Sequence, residues 1–217
     1  MKKITKALCL FLFMGCLTSC QIISLVIDLT DKEEARILLK DGTELKGRAK
    51  MPNSNTKNIR IKTEDGKKHK ISGKDIEVLC LWKKKHPEKE HFLYYNAYMG
   101  NKLFSTKKKK EYKPAWMAGE AVGDHLNIFV CGYDYKIIKD GTMNIISVQN
   151  GSIIYVAQKT GDELGVFIGT TDGGKSILRK NLTEYLNDDP ELCKKLENKE
   201  IESDEFQKIV DTYNPNR

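Results

Sequence analysis

Proline is scarce in this 217-residue sequence, which contains only five, and no stretch is rich in Pro or in Gly and Ser. No internal repeat and no low-complexity segment occurs either. These absences exclude a linker-rich, collagen-like or solenoid protein. Hydrophobic residues make up 40% of the chain, which is enough for one large or two small cores. The sequence therefore predicts a globular protein.

A recognisable catalytic set is also missing. No Ser or Cys lies in a nucleophile elbow with an assignable base, although distant residues can form a triad that a sequence does not reveal. His86 and His91 flank Glu88 and Glu90, but their five-residue spacing does not place both imidazoles on one face of a helix. We therefore predict no metal site and no cofactor.

The beginning of the sequence has the pattern of an export signal. Residues 1–6 include three lysines, and residues 7–17 form an apolar run. Leu17, Thr18, Ser19 and Cys20 follow, and they resemble the lipobox of bacterial lipoproteins. The resemblance implies that residues 1–19 are a signal peptide, that Cys20 carries lipid, and that residues 20–34 are a tether.

Lipid on Cys20 would hold the protein on a membrane, because two or three acyl chains anchor a protein almost permanently. Only a nucleophilic thiol can form the thioether. Three alternatives remain open. Cys16 is a poorer match to the box, a plain secretory signal would be cut without lipid, and an uncleaved span is possible because the apolar character resumes up to Ile27.

Removal of residues 1–19 and modification of Cys20 would leave Cys80, Cys131 and Cys193 as thiols. Because three is odd, at most one internal disulfide can form. Cys80 and Cys131 both end strand-like runs, so a bond between them is one interpretation and two small buried thiols are the other.

Charge is distributed unevenly along the chain. Residues 20–113 have a net charge of +10 and residues 114–217 a net charge of −6. A basic half attracts lipid phosphates or an anionic polymer, although lysine runs such as 83–85 and 107–110 usually lie on solvated loops. We predict a membrane, an envelope protein or an anionic polymer as partner, and no nucleic acid.

Period-two patterns dominate residues 35–170. The turn Asp41-Gly42 separates two alternating runs, and in the next hairpin Ile59 and Ile61 alternate with cationic residues, so that one face is dry and the other is cationic. Further strands are predicted at residues 70–72, 76–82, 92–98, 127–133, 135–138, 144–148, 153–158 and 166–168.

The period changes to that of a helix at Lys175. Asp189 and Pro190 have the positions of a helix cap and a first helical residue. Three apolar stripes follow helical spacing: Leu178, Leu182, Tyr185 and Leu186; Leu192 and Leu196; Phe206, Ile209, Val210 and Tyr213. We predict an α+β fold in a single domain, residues 35–217, with a mostly antiparallel β sandwich or barrel-like body. Three short helices at about residues 175–213 form its tail, packed on the sheet.

The two ends of this predicted domain resemble uncharacterised envelope proteins of the Bacteroidetes type. The resemblance rests on residues 37–47, 59–61 and 74–76 near the beginning and on residues 185–192, 195–200 and 209–214 near the end. It implies an exported, β-rich lipoprotein with a helical tail, and it implies no activity.

Residues 169–176 match the spacing GxxxxGK[ST] of a phosphate-binding loop. In such a loop Gly169 and Gly174 would let the backbone cradle phosphates, Lys175 would reach them and Ser176 would hold magnesium. A nucleotide-binding domain of this type also needs parallel strands alternating with helices, which the rest of the chain does not predict. We therefore interpret the segment as a glycine-rich turn before a helix.

Five aromatic residues could form a platform on which a sugar or another flat ligand stacks: Trp82, Tyr94, Tyr95, Tyr98 and Trp116. Core or edge packing of strand aromatics is the alternative interpretation.

The sequence as a whole predicts a membrane-anchored lipoprotein with a non-enzymatic binding or structural role in the cell envelope. Surface-exposed lipoproteins of the resembling group tend to have an acidic run after the lipidated cysteine, and none follows Cys20. The resemblance therefore favours the periplasmic side of the outer membrane over the cell surface. The alternatives are an envelope hydrolase with a dispersed active site and nucleotide binding at residues 169–176.

Overall fold

The structure, a computed structural model, describes residues 32–102, 105–147 and 153–215. The predicted signal peptide, the lipid site Cys20 and the tether up to residue 31 lie outside the described residues. The last three residues of the predicted tether, 32–34, belong to the first strand, which thus begins earlier than residue 35.

Twelve strands and three α-helices follow one another within the described ranges. The strands are β1 (Lys32–Leu39), β2 (Glu44–Lys50), β3 (Asn58–Thr63), β4 (Lys68–Ser72), β5 (Ile76–Lys83), β6 (His86–Lys102), β7 (Ser105–Val122), β8 (Leu126–Cys131), β9 (Asp134–Ile137), β10 (Met143–Ile146), β11 (Ile154–Lys159) and β12 (Gly165–Thr170). A short 3₁₀ helix, Gly73–Asp75, precedes β5, and the α-helices are α1 (Lys175–Tyr185), α2 (Pro190–Glu197) and α3 (Phe206–Thr212).

Ten strands form one sheet in the order β12-β11-β8-β7-β6-β5-β1-β2-β3-β4, and β9 pairs with β10 separately. Every neighbouring pair in that order is antiparallel. The far half of β6 also pairs with β12 in parallel, at Tyr98 and Met99, which closes β6, β7, β8, β11 and β12 into a ring. The predicted α+β class, with a mainly antiparallel body and three C-terminal helices, is confirmed.

The first hairpin forms where the turn residues predict it. Gly42 has φ 85°, a conformation that glycine adopts without strain. The Asp41 carboxylate accepts a hydrogen bond from the Thr43 amide at 2.8 Å, which stabilises the turn. Ile37 lies opposite Leu45 in the resulting register.

β7 is the strand that the sequence patterns did not predict. Its bounds include residues 107–110, the lysine run that we interpreted as a solvated loop, and Pro114. A proline disrupts a sheet least at an irregularity. The β6–β7 register shifts at this point, because Ala115 lies opposite Asn96 but Tyr112 lies opposite Tyr98, so Pro114 lies within a bulge.

The helices cover one end of the sheet. Leu178, Leu182 and Ile209 are buried in one cluster with Ile128 of β8 and Ile168 of β12. A second cluster joins the apolar residues of β1–β5 with Trp116 and with the β9–β10 hairpin. The helical tail therefore shares its core with the strands.

The Asp189 side chain links the start of α2 to the segment that follows α3. Its side chain is fully buried and caps α2 by accepting a hydrogen bond from the Leu192 amide at 3.0 Å. The other carboxylate oxygen accepts from the Asn214 amide at 2.9 Å. The cap predicted from Asp189 and Pro190 is thus confirmed, and the same carboxylate also holds the chain after α3.

Candidate functional site: a cationic sheet face

Alternation in β3 separates apolar from cationic side chains. Ile59 and Ile61 are 2% and 1% exposed and belong to the core. Arg60 and Lys62 alternate with them and are exposed. The predicted division into a dry and a cationic face is confirmed for this strand.

The register then places like charges opposite one another. Arg60 lies opposite Lys70, and Lys62 lies opposite Lys68 on β4. On the other side of β3, Lys62 lies opposite Arg48 of β2. We call these five residues the cationic sheet face.

Few carboxylates compensate these charges. Arg48 lies 3.6 Å from the Glu34 carboxylate on β1. Arg60, Lys62, Lys68 and Lys70 form no ion pair with any residue that the structure describes. Like charges directly opposite each other destabilise a sheet, so the fold tolerates this face at a cost.

Protection of the sheet edge explains only part of the pattern. β4 is the last strand of the sheet, and lysines on an edge strand oppose unwanted pairing with other chains. This accounts for Lys68 and Lys70. It does not account for Arg60 and Lys62, because β3 has a hydrogen-bonded neighbour on both sides. Arg60, Lys62, Lys68 and Lys70, which have no carboxylate partner among the described residues, would attract an extended anionic partner.

The segment resembling a phosphate-binding loop connects β12 to α1. Gly169 is buried in β12, Gly174 has φ 76° and precedes α1, and Ser176 is exposed in its first turn. The Lys175 ammonium lies 2.9 Å from the Asp204 carboxylate, and this hydrogen bond raises the pKa of Lys175. β12 is antiparallel to β11, and its parallel pairing with β6 is short. This geometry favours the interpretation as a glycine-rich turn.

The predicted aromatic platform is divided between the two faces of the sheet. Trp116 is fully buried and donates a hydrogen bond from Nε1 to the Thr56 carbonyl oxygen at 2.8 Å. Tyr95 packs on Trp116 with ring centroids 5.3 Å apart. These two rings belong to the core beneath β1–β5 and do not line an open groove.

The other tyrosines contribute to the core of the ring. Tyr94 and Tyr95 are consecutive in a strand and therefore point to opposite faces. Tyr94 packs on Phe129 at 5.1 Å, and Tyr98 stacks on Tyr112 at 4.7 Å. Trp82 is the penultimate residue of β5, is half-buried and belongs to neither cluster. The five rings thus form no single platform, because a linear sequence does not show which strand faces point inward.

The two histidines have separate partners. His86 Nδ1 lies 3.3 Å from the Glu88 carboxylate, whereas His91 Nε2 donates to the Gly141 carbonyl oxygen at 2.8 Å. Among the residues that the structure describes, no group of three or more His, Cys, Asp or Glu side chains is arranged to hold a metal ion.

The three cysteines beyond residue 31 are free thiols, so Cys80 and Cys131 are not bonded to each other. Burial, followed by the nearby Glu90 carboxylate, raises the pKa of Cys80 to about 12. Burial also raises the pKa of Cys131 to about 11 and raises that of Cys193. Thiols that stay protonated at neutral pH are poor nucleophiles.

Comparison of the chain with protein-family models, with curated proteins and with solved structures finds no match. Across the described ranges, no helix has both the length and the hydrophobicity needed to cross a bilayer.

Proposed function

We propose that this chain is a lipid-anchored, non-enzymatic protein of the bacterial cell envelope that holds an anionic envelope polymer on its cationic sheet face. In this proposal residues 1–19 are removed and Cys20 carries the lipid. The protein then lies on the periplasmic side of the outer membrane.

One observation carries the binding role: four cations of β3 and β4 lie in directly opposite pairs and have no carboxylate partner among the described residues. A soluble surface is normally mixed in sign, and repulsion between opposite strands costs stability. An anionic polymer in contact with β3 and β4 would neutralise this repulsion. The four cations are spread over two strands, which suits the repeated anionic groups of a polymer.

The anchor is supported by the sequence from Leu17 to Cys20 and by its resemblance to a lipobox. The intact mass of the protein, purified from membranes of a bacterium that matures lipoproteins, tests it. We expect a chain that begins at Cys20 and carries a diacylglyceryl group and an acylated amino group. A full-length, unmodified chain recovered from the cytosol would contradict the anchor.

Binding is tested with two soluble anionic polysaccharides, sulfated dextran and polygalacturonate, by titration calorimetry at low and at physiological salt. The test variant replaces Arg60, Lys62, Lys68 and Lys70 with Gln. The matched control replaces four exposed lysines outside the face with Gln: Lys136, Lys180, Lys194 and Lys199.

Both variants lose the same formal charge. Comparing them therefore separates binding at the cationic sheet face from general attraction by the net charge of the protein. If each cation contributes about 0.5 kcal/mol, the test variant should bind about 30-fold more weakly. The affinity of the control variant should stay within about twofold of that of the parent protein. Added salt should weaken polysaccharide binding by the parent protein. Equal losses in the two variants would show that no specific face binds the polymer.

A further inference from the structure

A basic cleft lies at the end of the sheet where β1 begins. It is bounded by the start of β1, by β2, by the turn between β5 and β6 and by the turn between β9 and β10. Its lining residues are all charged: Lys32, Glu33, Glu34, Arg48, Lys83, Lys84, Lys85 and Lys139. Six cations face two carboxylates there, so four positive charges remain in excess.

Both carboxylates of the cleft are already engaged. Glu33 is almost fully buried and lies 2.5 Å from the Lys83 ammonium. Glu34 lies 3.6 Å from Arg48. The cations Lys84, Lys85 and Lys139 are exposed, and none of them forms an ion pair with a residue in the described part of the chain.

Hydrogen bonds hold the β9–β10 turn, which carries Lys139, to β6, the strand that follows the turn carrying Lys84 and Lys85. Lys89 of β6 donates from Nζ to the Asp140 carbonyl oxygen at 2.7 Å. His91 donates to the neighbouring Gly141 carbonyl oxygen at 2.8 Å. Lys139 is therefore positioned beside Lys84 and Lys85 by hydrogen bonds that do not involve any of the three, which leaves their ammonium groups available to a ligand.

The position of the cleft limits the possible ligands. Lys32 lies in the cleft, and it follows Cys20 by twelve residues. Whatever its conformation, a chain of that length spans at most about 40 Å. A lipid on Cys20 would therefore keep this end of the sheet within about 40 Å of the bilayer surface, where the phosphates of anionic lipids concentrate.

We infer that the cleft binds the phosphate head groups of anionic lipids in the membrane that carries the protein, and that it thereby orients the domain on the bilayer. This inference rests on the proposed lipid on Cys20. With the cleft against the bilayer, the anchor and the three lysines provide two separate membrane contacts, and two contacts restrict the orientation of the domain more than the anchor alone. Of the cationic sheet face only Arg48 lines the cleft, so Arg60, Lys62, Lys68 and Lys70 remain available to the polymer.

Lysine footprinting of the lipidated full protein tests the inference. The protein is inserted from outside into vesicles of phosphatidylcholine alone, or of phosphatidylcholine with phosphatidylglycerol, and is then acylated at lysine and analysed by mass spectrometry. We expect Lys84, Lys85 and Lys139 to react at least about threefold more slowly on the anionic vesicles. High salt should remove this protection.

The internal controls are Lys180, Lys194 and Lys199 of the helical tail, whose labelling should be the same on both vesicles. Equal labelling of the cleft lysines on both vesicles would overturn the inference, and so would protection of Lys62 and Lys68 instead. A third sample, the protein in detergent with inorganic phosphate, shows whether a free anion protects the cleft lysines as well as a bilayer does. Protection there as strong as on anionic vesicles would refute lipid recognition.

The two proposals fail in different ways. An intact mass without lipid removes the anchor and with it the basis of this inference. A lipidated protein without protected cleft lysines leaves the anchor and the polymer site intact and removes only the orientation on head groups. Polymer titrations on the sheet-face variant do not involve the cleft lysines, so their outcome is independent.

Discussion

Substitution of Lys62 by Glu should stabilise the protein while it weakens polymer binding. Lys62 lies at the centre of the cationic sheet face, opposite Arg48 on one side and Lys68 on the other. The change converts two repulsive cross-strand pairs into two attractive ones. At about 0.5 kcal/mol for each pair, the free energy of unfolding should rise by about 1 kcal/mol. For a domain of this size that corresponds to a Tm increase of about 2–4 °C.

Thermal and urea unfolding at low salt measure the effect, and polysaccharide titration measures the accompanying loss of affinity. Lys62→Gln should give about half of the stabilisation, because it removes repulsion without adding attraction. The control is Lys136→Glu, an exposed strand residue that lies opposite the uncharged Asn144. It changes the net charge equally and should not stabilise.

The salt dependence makes this prediction specific. Exposed charges are screened at about 1 M salt, so the advantage of Lys62→Glu should shrink there. If Lys62→Glu has no effect or destabilises, or if Lys136→Glu stabilises equally, then the register-based repulsion does not exist. The cationic sheet face would then carry no energetic cost that polymer binding has to offset.

Three further predictions concern side chains outside the cationic sheet face. Asp189→Ala should lower the free energy of unfolding in urea by about 2–4 kcal/mol, because it leaves two backbone amides without their acceptor, and Asp189→Asn should cost less. Burial raises the pKa of Asp188, but hydrogen bonds from Lys159 and Tyr213 outweigh it and hold the pKa below its ordinary value of about 3.9. The resulting stability is present above that value and is lost as the pH falls through the folded-state pKa, so Asp188→Asn should destabilise at pH 7 and flatten the acid limb of a stability–pH profile. The thiols of buried Cys80 and half-buried Cys131 should react with a disulfide reagent at pH 8 at least about tenfold more slowly in the folded protein than in denaturant.

A specific outcome would contradict each of these three predictions. A greater loss for Asp189→Asn than for Asp189→Ala would show that the carboxylate is not acting as a hydrogen-bond acceptor. Unchanged acid unfolding in Asp188→Asn would contradict the lowered pKa. Rapid labelling of Cys80 or Cys131 in the folded protein would mean that its thiol is exposed.

Local interactions alone determined the helices and the first hairpin. The spacing of Leu178 and Leu182, the cap at Asp189 and the turn at Asp41 each act within a few residues, so their consequences are visible in the sequence. β7 escaped prediction because its lysine run and Pro114 lack the alternation of a strand. It forms through long-range pairing with β6, and the bulge accommodates the proline.

The candidate site shows the same division between features set by local sequence and features set by long-range packing. The amino-acid sequence by itself determined that β3 has one apolar and one cationic face, because alternation is a property of a single strand. Only the tertiary structure decided that Trp116 is interior, that β12 closes the ring on β6, and that Lys139 approaches Lys84. Each of these depends on the register and packing of segments far apart in the chain, and no local pattern encodes that choice.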